Sequence, residues 1–145
     1  MMAEYEEGFE GLVFYRDSLV LVKAAYRAAD TFPTHERFAL ADQLRRASSS
    51  ISLNIAEGYG RYHYLDRLRF MYIARGSLNE TLSAFIVANT VGYVDDEQIG
   101  WVREIADRIE RNLNGYCKFI RHQAQGQSEF GTKIIKEDGA DYAFE

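Results

Sequence analysis

An apolar period of 3.6 residues recurs four times along this chain of 145 residues, each time closed by a breaker, and no two-residue alternation competes with it. That pattern confines the chain to an all-α fold. In the first segment Leu12, Tyr15, Leu19, Val22, Tyr26 and Ala29 form one row, beside a second row of Leu21, Ala25, Ala28 and Phe32. A face that wide suits a helix packed against more than one neighbour. Phe32-Pro33-Thr34 ends it, because the residue before a proline disfavours the α region, and Thr34 is expected to cap the next helix. The second stripe is Ala41, Leu44, Ser48, Ile51 and Ile55, stopped at Gly58 and Gly60, one of which is expected in the left-handed conformation.

The third helix is expected to begin near residues 64–66 and to run to Gly92. It carries one row of Met71, Leu78, Leu82 and Phe85 and another of Phe70, Ala74, Ser77, Thr81, Ala84 and Ala88. The small residues of the second row let a neighbouring backbone come close. Asp95 and Gln98 have the spacing of a capping box and open a fourth helix. Its seam is Ile99, Val102, Ala106, Ile109, Leu113, Tyr116 and Ile120, and Arg121 and His122 suit the negative end of its dipole. Four helices of roughly 20–30 residues joined by short loops predict an antiparallel up-down-up-down four-helix bundle.

Charge divides the chain into three parts. Residues 1–10 hold four acids and no bases, residues 126–145 five acids and two bases, and the intervening residues 11–125 fifteen bases and thirteen acids. The expected organisation is an acidic segment over 1–10, the bundle over 11–125 and a mobile acidic tail over 126–145. Within the tail, Phe130, Ile134, Ile135, Tyr142 and Phe144 are apolar enough to dock on a partner or on the bundle. The lone Cys117 cannot form an internal disulfide and reads as a small core residue of a reducing compartment. The acidic start has neither the basic flank nor the apolar run of a secretory leader. No stretch approaches the length of about 20 apolar residues that a membrane span needs. A cytoplasmic protein without a membrane partner is therefore expected.

The second helix is the informative one, since Arg45-Arg46-Ala47-Ser48-Ser49-Ser50-Ile51-Ser52-Leu53-Asn54 is poor in strong helix formers. Two explanations stand side by side. The hydroxyls bond back to their own helix and allow close approach, or Asn54, Glu57 and nearby arginines build a polar network within or between subunits. Gly76, interior to the third helix, costs about 1 kcal/mol relative to alanine and points to a close crossing or a kink. Around the second loop Arg61, Tyr62, His63, Tyr64, Arg67 and Arg69 interleave bases with aromatics, an arrangement that suits single-stranded nucleic acid.

Chemistry is harder to place. No Glu is followed three residues later by His, as a di-iron bundle requires, and His35, His63 and His122 sit at helix ends or in a loop, so no metal or other cofactor is expected. Glu57 and Glu80 could pair as acid and base near one end of the bundle, although hydrogen bonding to Arg or Ser is the simpler role. Ser48 to Ser50 lack a His or Lys to activate them. No catalytic residues are expected, and the chain is not expected to be an enzyme.

The strings Gln43-Leu44-Arg45-Arg46-Ala47-Ser48, Asn54-Ile55-Ala56-Glu57-Gly58 and Gly60-Arg61, followed by Phe70, Ile73-Ala74, Gly76-Ser77-Leu78 and Glu80, resemble the four-helix-bundle family encoded in intervening sequences of bacterial 23S ribosomal RNA genes. The resemblance spans roughly residues 9–122. It implies an antiparallel bundle, commonly a ring-like homopentamer, without established enzymatic activity. It also implies a likeness to the accessory protein of diversity-generating retroelements, a basic pentamer that binds a reverse transcriptase and nucleic acid. Two departures are visible: Tyr15 stands where members often have Trp, and the net charge here is −5.

Two functional expectations follow. The first is a self-assembling, non-catalytic interaction scaffold, its partner other copies of itself, with Arg45, Asn54, Glu57, Gly58, Gly76, Ser77 and Glu80 fixing the geometry within or between subunits. The second is an RNA-binding or reverse-transcriptase accessory factor using Arg61, Arg67 and Arg69.

Overall fold

The computed structural model describes residues 8–130. A 3₁₀ turn over Phe9–Gly11 leads into α1 (Val13–Asp30), and a second 3₁₀ turn over Thr34–Glu36 precedes α2 (Leu40–Tyr59). Then come α3 (Tyr64–Thr90), α4 (Asp96–Gln123) and a short α5 (Gln127–Phe130). Each long helix packs chiefly on its neighbours in sequence, and α4 closes on α1, so the helices stand at the corners of a square in the order α1-α2-α3-α4. This is the all-α, up-down-up-down bundle expected. One end carries the α1–α2 and α3–α4 connections, the other the α2–α3 loop and the C-terminus of α4.

Three of the four stripes form the core as read. Leu44, Ile51 and Ile55 of α2, Met71, Leu78 and Phe85 of α3, and Val102, Ile109, Leu113 and Ile120 of α4 are buried. So are the small residues Ala74, Ser77, Thr81, Ala84 and Ala88, which let α2 and α3 make the closest pairing in the bundle. In α1 the order of the two rows reverses. Phe14, Ser18, Leu21, Ala25 and Ala28 line the core, whereas Leu19 and Tyr26 are exposed. A helix wedged between only two neighbours buries the middle of a broad apolar arc and leaves its margin in solvent, and Leu19 and Tyr26 fall on that margin.

The helix ends follow simple chemistry with two corrections. Asp95 and Gln98 form the reciprocal capping box, the Gln98 amide donating to Asp95 Oδ1 at 2.8 Å and the Asp95 amide to Gln98 Oε1 at 2.9 Å. His63 caps α3, its Nδ1 accepting from the Leu65 amide at 3.2 Å. Thr34, however, does not cap α2, because it lies in the separate 3₁₀ turn; Glu36 Oε1 instead accepts from the Leu40 amide at 3.3 Å. Neither Gly58 nor Gly60 is left-handed. Gly60 follows α2 with φ −78°, while Gly58 lies inside the helix where a methyl group would stand 2.8 Å from Phe70 Cβ. Its role is close approach, not chain reversal. Positive φ falls instead on Gly8, Gly92 and Gly126, of which Gly92, φ +89°, makes the exit from α3.

Gly76 brings a third correction. Among the described residues no atom beyond its own helix lies within 4 Å of where its Cβ would be, so none of the described helices crosses there. At the C-terminal side the chain is not featureless. Ala124 turns it with φ 45°, the Tyr64 amide donates to the Gln125 carbonyl at 3.0 Å, and Gly126 lies against the rings of Tyr62 and His63. Residues 1–7 and 131–145 lie outside the described residues, and with them most of the acidic segment and tail, including Ile134, Ile135, Tyr142 and Phe144.

Candidate interaction surfaces

The serines of α2 divide between both explanations offered for them. Ser48 and Ser49 donate back to the Arg45 carbonyl at 3.0 and 2.9 Å. Ser50 and Ser52 instead reach neighbouring helices. Ser50 Oγ lies 2.8 Å from Ser77 Oγ on α3 and accepts from Asn54 Nδ2 at 3.0 Å, while that same amide donates to the Ser50 carbonyl at 2.8 Å. Thr81 continues the line by donating to the Ser77 carbonyl at 2.8 Å. On the other side Ser52 Oγ is 2.7 Å from Ser18 Oγ of α1; since Ser18 donates to the Tyr15 carbonyl, Ser52 must be the donor of that pair. Hydroxyls buried in this way are satisfied, and they hold α2 between its neighbours at short range.

The predicted network is thus partly assembled. Asn54 and Ser77 are joined through Ser50, and Gly58 sets the α2/α3 spacing. Glu57 is drawn to the surface by Arg61, with Arg61 Nε 3.1 Å away. Arg45 reaches only Asp30, at 3.9 Å. Gly76 and Glu80 face outward, and Glu80 shares a groove on the α2/α3 face with Leu40 and Gln43. Glu57 and Glu80 therefore lie toward opposite ends of the bundle and cannot act as an acid/base pair. Ser18, Ser50, Ser52 and Thr81 complete the relays but were outside the predicted set; serine spacing marks the helix and not which hydroxyl crosses to a neighbour.

Around the α2–α3 loop the arginines are held in place. Arg61 pairs with Glu57 and lies 4.8 Å over the Phe70 ring. Arg67 Nε donates to the Arg61 carbonyl at 2.6 Å and NH1 to the Tyr116 hydroxyl at 3.3 Å, with Tyr59 beneath the guanidinium. Among the described residues no hydrogen-bond partner meets the buried Arg69 Nε. Along the α3/α4 seam Arg121 donates to the Tyr72 hydroxyl at 3.3 Å and Arg75 to Asn114 Oδ1 at 3.2 Å. Burial pushes the Tyr72 phenol up to about 12 and the Cys117 thiol up to about 11. Cys117 therefore remains a neutral thiol in the core and offers no thiolate.

At the opposite end Tyr93 fastens the two connections together. Its hydroxyl donates to Glu36 Oε2 at 2.8 Å and lies 3.3 Å from His35 Nε2. The Tyr93 and Leu40 donors hold the Glu36 carboxyl below its ordinary range, and the same bond raises the Tyr93 phenol. On the face between α1 and α4 an open groove of about 560 Å³ is lined by Val20, Ala24, Lys23, Arg27 and Trp101. A bidentate Arg108–Asp17 pair, 2.9 and 3.1 Å, joins the two helices beyond it. Among the described residues there is no group of three or more His, Cys, Asp or Glu placed to hold a metal, and no helix is long and apolar enough to cross a membrane.

The architecture defines a class: an antiparallel four-helix bundle whose second and third helices are drawn together by small residues and paired hydroxyls. Within that class, residues 10–115 match the family model of the 23S rRNA-intervening sequence protein, and the chain belongs to that family. A crystal structure of a protein with unknown function from the S23 ribosomal protein family, from Bacteroides thetaiotaomicron VPI-5482, superposes with a TM-score of 0.67. It is 21% identical, and the match covers 73% of this chain and 99% of that one, a likeness of fold. Comparison with curated proteins finds no match.

Proposed function

We propose that the protein is a non-catalytic scaffold that assembles with copies of itself, the bundle serving to present surfaces. The observation that carries this is the spread of large apolar side chains over the outside. Phe38 is 85% exposed, Leu53 69%, and Val91 and Phe119 more than half. Val20, Ile73, Val87 and Trp101 are nearly so. Isolated exposed apolar residues are ordinary, but aromatics and aliphatics exposed on the faces of all four helices are the composition of surfaces that become covered. The polar groups support the same view, since the α2 hydroxyls are bonded either to their own helix or across to its neighbours and the buried Cys117 is neutral. Sedimentation velocity across a wide range of protein concentrations tests it: a species of several subunits is expected. A compact single chain at every concentration would remove the proposal.

A second reading, nucleic-acid binding at the α2–α3 loop, has one observation in its favour. Among the described residues Arg67 is steadied by a phenol, a ring and a carbonyl and not by a carboxylate, which leaves its charge available to a phosphate. Arg61, by contrast, is already neutralised by Glu57. Retention on single-stranded RNA that falls steeply with salt and is lost on replacing Arg61, Arg67 and Arg69 would favour this reading; weak, salt-insensitive retention would exclude it.

A further inference from the structure

A cleft of about 390 Å³ lies where α1 turns into α2, at the pole away from the α2–α3 loop. Its floor is apolar, made by the buried Ala29, Phe32 and Ala41. The Phe32 ring is held by Tyr93, their centroids 5.2 Å apart, and Tyr93 is itself bonded to Glu36. Pro33 beside it has a fixed φ of −55°, so this wall is formed in advance. The rim is polar, from Asp30, Thr34, Arg37 and Arg45. The Arg45 side chain is only 27% exposed, and among the described residues its sole ionic partner is Asp30. At 3.9 Å that contact is too long for a hydrogen bond, and Asp30 is 77% exposed. Arg37 lies over the Phe38 ring at 5.3 Å and meets no described carboxylate. The other acids nearby are engaged, Asp42 with Arg46 at 3.4 Å and Glu36 with Tyr93.

The cleft therefore carries two positive charges against one negative, in a chain whose net charge is −5. Each guanidinium is a planar fork of N–H donors that matches the oxygens of a carboxylate or phosphoryl group, and it is weakly hydrated enough to bind one in a recess. Arg45 is largely withdrawn from water while its donors remain unmet by the described residues, a state that an oxyanion relieves. We infer that this cleft binds a small organic oxyanion, its phosphoryl or carboxylate group between Arg37 and Arg45 and its carbon skeleton on Phe32 and Ala41. Thr34 adds a hydroxyl at the rim. Asp30 competes for Arg45 and repels further negative charge, so a compact anion suits the cleft better than a run of nucleic-acid phosphates. The site goes beyond the scaffold reading and does not depend on it.

Titration of the nitrogen-15-labelled full chain with phenyl phosphate, benzoate and inorganic phosphate, followed by amide chemical shifts, tests the inference. Saturable shifts centred on Thr34, Arg37, Ala41 and Arg45 are expected, with a Kd of about 1 mM or below for the better aromatic probe. Phenyl phosphate ahead of benzoate would assign a phosphoryl ligand, and the reverse order a carboxylate. Arg45→Gln is expected to weaken binding about tenfold or more, and Arg45→Lys, which keeps the charge without the fork, about threefold or more. Asp30→Asn removes the competitor and is expected to tighten binding about threefold. Asp107→Asn, the same change of net charge on α4, is expected to leave it unchanged. If Arg45→Gln loses helical circular dichroism, Arg37→Gln on the exposed turn carries the same expectation. Shifts that fail to saturate by about 20 mM, or that centre on the α2–α3 loop, would overturn the site. So would an Asp107→Asn effect equal to that of Asp30→Asn. Inorganic phosphate binding as tightly as both aromatic probes would overturn the apolar wall's part. A single-stranded RNA oligonucleotide that displaces the better probe at a lower concentration of phosphate groups would give the cleft to nucleic acid and overturn the small-molecule inference.

Discussion

Two glycines inside neighbouring helices make a paired test of how α2 and α3 are held. At Gly58 an added methyl group would stand 2.8 Å from Phe70 Cβ, 2.9 Å from Met71 Cε and 3.2 Å from the Arg67 carbonyl oxygen. The methionine end can swing away, but Phe70 Cβ and the Arg67 carbonyl move only with α3 itself. Overpacking of this kind costs about 1–3 kcal/mol, against a gain of about 1 kcal/mol from replacing a helical glycine. Gly58→Ala is therefore expected to destabilise by up to about 2 kcal/mol. At Gly76 nothing lies within 4 Å, so Gly76→Ala is expected to stabilise the subunit by about 0.5–1 kcal/mol. Urea titrations at one fixed protein concentration, with equal slopes, would place the two midpoints on opposite sides of wild type. In a chain of this size each kcal/mol corresponds to roughly 3 °C in Tm. A Gly58→Ala protein as stable as wild type, or more so, would refute the claim that close approach is what the glycine provides.

Three further outcomes follow from the geometry. Ser18→Ala is expected to cost about 1–2 kcal/mol, because it leaves the Ser52 hydroxyl without its acceptor, and Ser52→Ala less, because Ser18 keeps its bond to the Tyr15 carbonyl. In chemical denaturation the double variant should cost less than the sum. Asp95→Ala removes the capping box of α4 and should lower stability by about 1 kcal/mol in the same assay. The Glu36–Tyr93 clasp should show in the pH dependence of Tm. Glu36 has a lowered folded pKa, so its contribution is present above the ordinary carboxylate value and is lost as pH falls through the lowered one. Tyr93 has a raised one, so its contribution is present below the ordinary phenol value and is lost as pH rises through the raised one. Tyr93→Phe should flatten both limbs, leaving an alkaline limb due to the buried Cys117 thiol, raised to about 11, the Tyr72 phenol, raised to about 12, and the Tyr116 phenol, also raised by burial. An unchanged acid limb would show that the clasp contributes nothing.

Much of the fold was legible because periodicity reports directly on which side of a helix is dry. The α2, α3 and α4 stripes needed nothing beyond it, the Asp95–Gln98 cap was legible from its spacing, and the burial of Cys117 from the habit of free cysteines. The α1 stripe misled because two apolar rows lay side by side, and only the positions of its two neighbours decide which is covered. Glycine was ambiguous for a related reason. Gly58, Gly76 and Gly92 are alike in sequence, yet one permits contact, one faces solvent and one turns left-handed. The polar network was visible as a composition, but its wiring depends on which hydroxyl crosses to Ser18 or Ser77. The exposure of Phe38 and Glu80 is a property of three-dimensional arrangement that no local pattern records.

The path of the chain sets where anything joined to the bundle emerges. The 3₁₀ turn before α1 and the short helix after α4 lie at the same pole, the one bearing the α2–α3 loop, where Gln125 is tied to Tyr64. Phe38 and the Tyr93–Glu36 clasp lie at the other. A domain fused to either end of the bundle would therefore stand beside the α2–α3 loop and leave the opposite pole open.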